Sequence, residues 1–254
     1  MQQAFMDLGG LAHTSGEIAK ATGLDDSVVH RILQSGVYQG TFIRVKRGVY
    51  QLGTGAAKLG IHALAHDELV GDRARAVLQE LRLVSDGGLA LLYALAPFGG
   101  AQRQCIEMAV GDSDLVEVGM TPREILTVGR SLRTGASGRV ILAYLPDAIQ
   151  QRVLAEPVVQ EAGPGVITDN DVLLSSLDDI RDQGHAVGRQ ECMRGWNSCA
   201  APVMWNDSIM GAVLLLRPAH LMPEVPPKLI EATKHAAAQL SRTGGSWPAS
   251  GQRA

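Results

Sequence analysis

The sequence predicts an α+β chain in two parts: a small helical head ending in a basic hairpin, and a larger body of antiparallel strands interleaved with helices. Three observations carry this reading. Residues 14–47, TSGEIAKATGLDDSVVHRILQSGVYQGTFIRVKR, read as two short helices joined by a tight turn and followed by a ribbon of β-formers. The charge is unevenly spread. The chain carries −3 overall, yet residues 1–66 hold six basic residues (Lys20, Arg31, Arg44, Lys46, Arg47, Lys58) against four acids (Asp7, Glu17, Asp25, Asp26). From Gly87 onward, short apolar runs bounded by turn residues alternate with amphipathic stretches.

Within the head, Ala4, Phe5 and Leu8 form one helical stripe ended by Gly9-Gly10, a helix so short that it holds only through packing. Thr14 with Glu17 fits a capping box at the start of the next helix. Ile18, Ala19 and Leu24 supply its apolar faces, and Gly23 lies where the chain must stop and reverse. Asp25 or Asp26 then caps a further helix, on which Val29, Ile32 and Leu33 point inward. Ser27, His30, Arg31 and Gln34 are left facing out, each able to hydrogen-bond to base edges or phosphates. Phe42 to Leu52 alternates apolar and basic residues about a turn at Gly48, a hairpin whose tip carries Arg44, Lys46 and Arg47.

This pattern reads as a winged helix–turn–helix. No Asp or Glu occurs between Ser27 and His66, as a polyanion partner favours, because each cation that meets a phosphate releases counterions. The expectation is that Arg31 and Gln34 read base edges, Ser27 and His30 assist, and Arg44, Lys46 and Arg47 hold phosphates.

Thr54 to about Ser85 is helical, with Leu59, His62, Ala63, Leu69, Ala76, Val77, Leu81 and Val84 at helical spacings and a break near Gly71-Asp72. We read a linker helix followed by the first helix of the body. Strands are expected at 89–95, 104–110 and 115–118, with a turn at 97–100. Helices follow at 138–145, halted at Pro146, and from Asp147 to Leu154. After a helix at 172–181 come strands at 185–187, 199–203 and 210–216, the last two joined by a hairpin at 206–208, and a closing helix at 228–240. The expected domains are 1–53, 54–84 and 85–243, with 244–254 a disordered tail.

Composition excludes several classes. Aromatics make up 4%, which argues against a platform that stacks bases. The three cysteines (Cys105, Cys192, Cys199) are odd in number and form no CxxC pair, against disulfide scaffolding or structural zinc. The histidines show no metal-ligand spacing, so neither metal nor cofactor is expected. No apolar run approaches the roughly 18 residues of a membrane span, and no export signal is visible, so a cytoplasmic location is expected.

Two stretches of the body are candidates for a pocket: Arg133-Thr134-Gly135-Ala136-Ser137-Gly138, whose helix start favours a carboxylate or phosphate, and Arg194-Gly195-Trp196-Asn197-Ser198-Cys199. Ser137 lacks the order of a nucleophile elbow and a spaced base, and Cys199 with His185 is an equally weak pair, so an enzyme is not expected.

The layout resembles the IclR family of bacterial transcription regulators. GEIAKATGLDDSVVHRILQ resembles its recognition segment and Gly48-Val49-Tyr50-Gln51-Leu52-Gly53 its end-of-wing signature; SLRTGASGRVILAYLPD, and GWNSCAAPV with GAVLLLRP, resemble the two blocks of its effector domain. The resemblance runs to about residue 242. It implies a winged-helix N-terminal domain, a GAF-like effector domain and dimers or tetramers. It also implies a double-stranded DNA operator and control of promoter binding, such as repression, by a small-molecule effector, for which a carboxylate is a candidate. Carried onto matching positions, the effector site includes Ala136, Ser137, Trp196 and Ser198, with Leu214 and Leu216 on the last core strand.

The sequence departs from the family in places. Val28, among the DNA contacts, replaces a common threonine. Asp25-Asp26 stand at the start of the recognition helix, where carboxylates repel phosphate unless they serve as caps. Gly188-Arg189 fall where an acid is frequent, so Gly188 lines the implied site and Arg189 is a candidate to attract an anionic effector. The alternative expectation is a small-molecule sensor, or a hydrolase-like enzyme using Ser137 or Cys199, with a weakened DNA-binding head.

Overall fold

The computed structural model describes residues 1–65, 71–96, 101–111, 121, 125–126, 129–158 and 162–242, with side chains described only to residue 60 in the first of these stretches. The chain divides into two compact units, a smaller one that takes in Met1–Asp67 and a larger one that takes in most of the rest. The architecture is α+β.

The smaller unit contains helix α1 (Gln2–Asp7), strand β1 (Ala12–Thr14), helices α2 (Ser15–Thr22) and α3 (Asp26–Tyr38), strands β2 (Phe42–Lys46) and β3 (Val49–Leu52), and helix α4 (Thr54–Ala65). Its sheet has the order β1-β3-β2, all antiparallel. β1 was not expected: three residues are too few for an alternation to show, and the strand exists through its pairing of Ala12, His13 and Thr14 with β3.

The capping box is formed as read. The Thr14 backbone N–H donates to Glu17 at 2.7 Å, and the Glu17 N–H donates to Thr14 Oγ1 at 3.2 Å. α2 stops at Gly23 in the left-handed region, φ 66°. Asp25 takes the N-cap position of α3, but its side chain makes no cap bond there; its backbone carbonyl accepts from Val28 and Val29. Both aspartates remain exposed carboxylates.

The inward stripe of α3 is Val29, Leu33 and Gly36, at i, i+4 and i+7; Ile32 is 37% exposed, which corrects the expected stripe. On the helix wheel Ile32 lies about 60° from the centre of that stripe, at its rim. Gly36 is there for close approach, since a Cβ would collide with the Phe42 ring. The core is Phe5, Ile18, Val29, Leu33, Phe42 and Tyr50, with Phe5 stacked on Phe42 at 5.1 Å between centroids. Leu8 and Leu24, expected inside, are exposed because each sits at a helix end beyond the last packed turn.

In the larger unit, helix α5 (Asp72–Val84) is followed by strands β4 (Leu89–Ala96), β5 (Gln102–Ala109) and β6 (Arg130–Ser131). Helices α6 (Gly135–Ala143), α7 (Asp147–Ala155) and α8 (Asn170–Gln183) precede strands β7 (Ala186–Arg189), β8 (Trp196–Trp205) and β9 (Ser208–Pro218), and helix α9 (Pro227–Leu240) closes the chain. The six strands form one antiparallel sheet, β6-β5-β4-β9-β8-β7. α5 and α9 pack one face through Ala74, Leu78, Leu81, Leu229, Ala237 and Leu240 against Leu92, Val213 and Leu215. α6, α7 and α8 cover the other face, against Leu91, Tyr93, Leu214 and Leu216. A sheet covered on both faces reads as a continuous apolar run, which hides strand ends.

β8 and β9 therefore extend beyond the expected spans, and β7 begins at Ala186, after His185. α6 begins at Gly135, three residues earlier than read. On α5 the buried stripe is Ala74, Val77, Leu78 and Leu81; Ala76 and Val84, expected inside, are exposed, as is Leu59 on α4. The strand read at 115–118, the turn at 97–100, Leu69 and the tail 244–254 lie outside the described residues, as do the side chains of His62 and Ala63.

Candidate functional site

On the smaller unit, the side chains of Ser27, His30, Arg31 and Gln34 are exposed along α3, and Val28 is half-buried. Opposite them Val29 and Leu33 are fully buried, so the helix is held by one face and offers the other. Gln34 Nε2 donates to the Tyr50 hydroxyl at 3.3 Å, tying α3 to the second strand of the hairpin. Tyr50 is itself buried, so this bond fixes the angle between helix and hairpin. Arg44, Lys46 and Arg47 are exposed at the hairpin end, where Gly48 turns the chain at φ 74° and a bulge lies between Arg44 and Lys46. The arrangement gathers four cations (Arg31, Arg44, Lys46, Arg47) on α3 and the adjoining hairpin. Sequence reading did not anticipate the Gln34–Tyr50 bond, because it joins residues on different elements.

On the larger unit, Ala136, Ser137, Gly188, Trp196, Ser198, Leu214 and Leu216 are all buried. Register draws several of them into one row. Gly188 pairs with Ser198, Ser198 with Leu216, and Leu216 with Leu89 across four strands. α6 lies over this row: a Cβ on Gly188 would stand 2.5 Å from Ser198 Oγ and 3.3 Å from the Ala136 nitrogen. Only glycine lets the helix start approach β7 so closely. Clefts open elsewhere on the unit, among them two lined by charged residues. One of about 500 Å³ is lined by Arg133, Leu154, Thr168 and Asp169 among others; one of about 440 Å³ is lined by Arg139, Val187, Arg189 and Glu191 among others. None of the residues in the row lines either cleft.

The two ends of α6 are treated differently. At its C-terminus Gln150 Nε2 donates to the Leu142 and Leu145 carbonyls, and Arg181 donates to Ala143 O at 2.7 Å. Arg139 makes a buried two-pronged pair with Glu191, at 3.0 and 2.6 Å. At the N-terminus the Thr134 side chain makes no cap bond. Ser137 Oγ is buried and has no hydrogen-bond partner, so no base prepares it as a nucleophile. Cys199 is buried in an apolar setting that pushes its thiol up to about 12. His185 turns its Nδ1 to the Gln183 carbonyl at 3.2 Å. The cation expected at Arg189 points outward, its side chain 73% exposed and 3.9 Å from Glu224.

A further buried cation on the α6 side of the sheet is one that sequence reading missed, Arg103 on β5, 1% exposed. The available signal was the alternation along Gln102–Cys105, which puts Arg103 in phase with the buried Cys105. Among the described residues no group of three or more His, Cys, Asp or Glu could hold a metal ion, and no helix is long and apolar enough to cross a membrane.

A winged helix–turn–helix unit and an antiparallel α+β unit are thus joined in one chain. Residues 114–242 match the family described as Bacterial transcriptional regulator IclR C-terminal. The chain belongs to the IclR family of transcriptional regulators. It is 27% identical over 242 residues to the HTH-type transcriptional regulator KipR of Bacillus subtilis, covering 91% of this chain and 90% of that one. The IclR structure from Thermotoga maritima superposes with a TM-score of 0.57 at 21% identity, over 94% of this chain and 96% of that one. An IclR homolog from Microbacterium hydrocarbonoxydans, complexed with 4-hydroxybenzoate, superposes with a TM-score of 0.56 at 19% identity, over 94% and 95%.

Proposed function

We propose that this regulator binds double-stranded operator DNA through the exposed face of α3 and the basic hairpin, in response to a small molecule held in the larger unit. The observation that supports this best is the split of α3, with Val29 and Leu33 buried while Ser27, His30, Arg31 and Gln34 face out beside Arg44, Lys46 and Arg47. A helix so held fits a major groove, and hairpin cations meet the adjoining phosphates. Residues 1–53 then form the DNA-binding domain, 54–84 the linker and first body helix, and 85–243 the effector domain. Two copies with recognition helices about one turn of DNA apart suit an operator with paired half-sites. Ala136, Ser137, Gly188, Trp196, Ser198, Leu214 and Leu216 line the effector site. The 4-hydroxybenzoate complex of a fold neighbour motivates a small organic ligand here. The protein acts in the cytoplasm and is not an enzyme. Selection of bound DNA from a random pool, repeated with candidate metabolites, tests this: an enriched motif whose retention changes with a metabolite is the expected result, and the absence of any motif overturns it.

One observation favours a second reading, a sensor whose DNA grip is weakened. Asp25 and Asp26 are exposed carboxylates at the start of α3, and the Asp25 side chain makes no cap bond. Replacing both by asparagine separates the readings. An unchanged affinity means that they do not face phosphate, and a large gain means that they restrain binding.

A further inference from the structure

The chain is poor in aromatics, and those among the described residues are enclosed with one exception. Phe5, Phe42, Tyr50, Tyr93 and Trp196 are buried, and Tyr144 and Trp205 are half-buried. Tyr38, the last residue of α3, is 94% exposed. At that exposure its ring contributes almost nothing to the core of the smaller unit. It is a large amphipathic side chain, apolar along the ring and polar at the tip, held ready for a partner to bury.

The helix decides where that side chain goes. Each residue turns α3 by about 100°, so Tyr38 lies about 170° from the centre of the buried stripe Val29, Leu33 and Gly36, and within about 20° of Arg31. Ser27, Arg31 and Tyr38 thus share the outward face. Arg31 and Tyr38 are about two turns apart, or about 10 Å along the axis, and a major groove is about 12 Å wide. A recognition helix sets its N-terminal residues on base edges. A residue at the far end of the same face then stands at the groove wall, among sugars and phosphates. No basic residue lies in the last turn of α3, and the helix end carries unpaired carbonyls, so no cation of the helix meets a phosphate there. Gln34, the other long side chain of this half of the face, already gives its amide nitrogen to Tyr50. A phenol suits the place: it is an uncharged donor, and a helical side chain leans back over the preceding turn, away from those carbonyls.

We propose that Tyr38 is a further DNA-contacting residue, its hydroxyl donating to a backbone phosphate at the wall of the major groove and its ring covering the adjoining sugar. The contact fixes how far along its axis α3 sits in the groove, and so which bases Arg31 meets. It differs in kind from the contacts of Arg44, Lys46 and Arg47, because an uncharged donor releases no counterion. This rests on the reading of the smaller unit as a DNA-binding head, and it adds a positioning contact at the end of α3 that carries no charge.

The test uses the full chain and two duplexes of equal length, one enriched by the chain from a random pool and one of mixed sequence, each titrated at several salt concentrations. Tyr38→Phe keeps the ring and should weaken binding to both roughly tenfold while leaving the salt slope unaltered, in contrast to the fall of about 1 when the Lys46 charge is removed. Tyr38→Ala weakens both further, because the ring goes as well. Neutral methylphosphonates at single phosphates of the duplex locate the contact: at the contacted phosphate the replacement weakens the unaltered chain and leaves Tyr38→Phe as it was. Both variants keep the unfolding midpoint of the smaller unit, since the side chain is exposed. Unchanged binding by Tyr38→Phe, a loss confined to the enriched duplex, a salt slope lowered by about 1, a lowered unfolding midpoint, or no phosphate at which the two chains differ each overturns the proposal. If the chain retains no duplex, the DNA-binding reading fails and takes the proposal with it. If only mixed-sequence DNA is retained, the operator reading falls and that duplex decides for Tyr38. If an enriched duplex is retained equally by the unaltered chain and Tyr38→Phe, the proposal alone falls.

Discussion

Arg31 and Lys46 are neighbours in function but meet different parts of a duplex. Arg31 projects from the exposed face of α3, and Lys46 sits on the hairpin. Arg31→Ala is expected to cost about 1–3 kcal/mol of operator binding and to relax specificity at one base position. Lys46→Ala should weaken all sequences alike and lower the salt slope by about 1. Titrations of specific and random DNA at several salt concentrations distinguish them, and operator affinity unchanged by Arg31→Ala would remove that residue from the interface. Gly36 gives a test of packing with the opposite sign from propensity. Alanine in a helix normally gains about 1 kcal/mol over glycine, but here its Cβ would run into Phe42, and overpacking costs about 1–3 kcal/mol. Gly36→Ala should lower the denaturant midpoint of the smaller unit; a raised midpoint would show that the Phe42 ring moves aside freely.

At the scale of elements, α2 depends on its capping box. Thr14→Ala is expected to cost about 1 kcal/mol, read from the unfolding midpoint. The Thr14 backbone N–H, then its hydroxyl, hold the Glu17 carboxyl below its ordinary value of 4.5. A lowered folded pKa gives stability that is present above the ordinary carboxylate range and lost as pH falls through the lowered value. Glu17→Gln should therefore flatten the acid limb of the stability profile of the smaller unit, and a profile identical to that of the unaltered chain would refute the linkage. Much at this scale was legible in the sequence. Thr14, Glu17, Gly23 and Gly48 mark their boundaries by local chemistry, and the structure places each where that chemistry requires. Ile32 was misread because a stripe of three residues tolerates a rotation of the helix, and only contact with Phe42 through Gly36 fixes it.

For the molecule as a whole, the thiols report the integrity of the larger unit. Burial pushes Cys105 and Cys199 up to about 12 from an ordinary 9.0. Groups raised in this way stabilise the fold fully below the ordinary thiol range, and that contribution is lost as pH rises from about 9 toward 12. Stability should fall across that window, and replacing Cys105 and Cys199 by alanine should reduce the fall. Cys192 is only half-buried. Iodoacetamide is expected to label Cys192 first, and the other two only on unfolding; rapid labelling of all three in the folded protein would contradict the packing described.

The amino-acid sequence by itself determined the winged head, the strand-and-helix texture of the body, the cations of the hairpin and the family, because caps, turn glycines and charge runs act within a few residues. The tertiary structure decided what depends on contacts between distant segments: the strand β1, the bond from Gln34 to Tyr50, the row of Gly188, Ser198 and Leu216, and the cation beneath α6. Arg189 and Arg103 are both arginines on strands. Their opposite fates, one in solvent and one enclosed, follow from the face each side chain takes: Arg189 follows Gly188, which faces the start of α6, whereas Arg103 shares the phase of the buried Cys105, and only the pairing of the strands decides which face the helices cover.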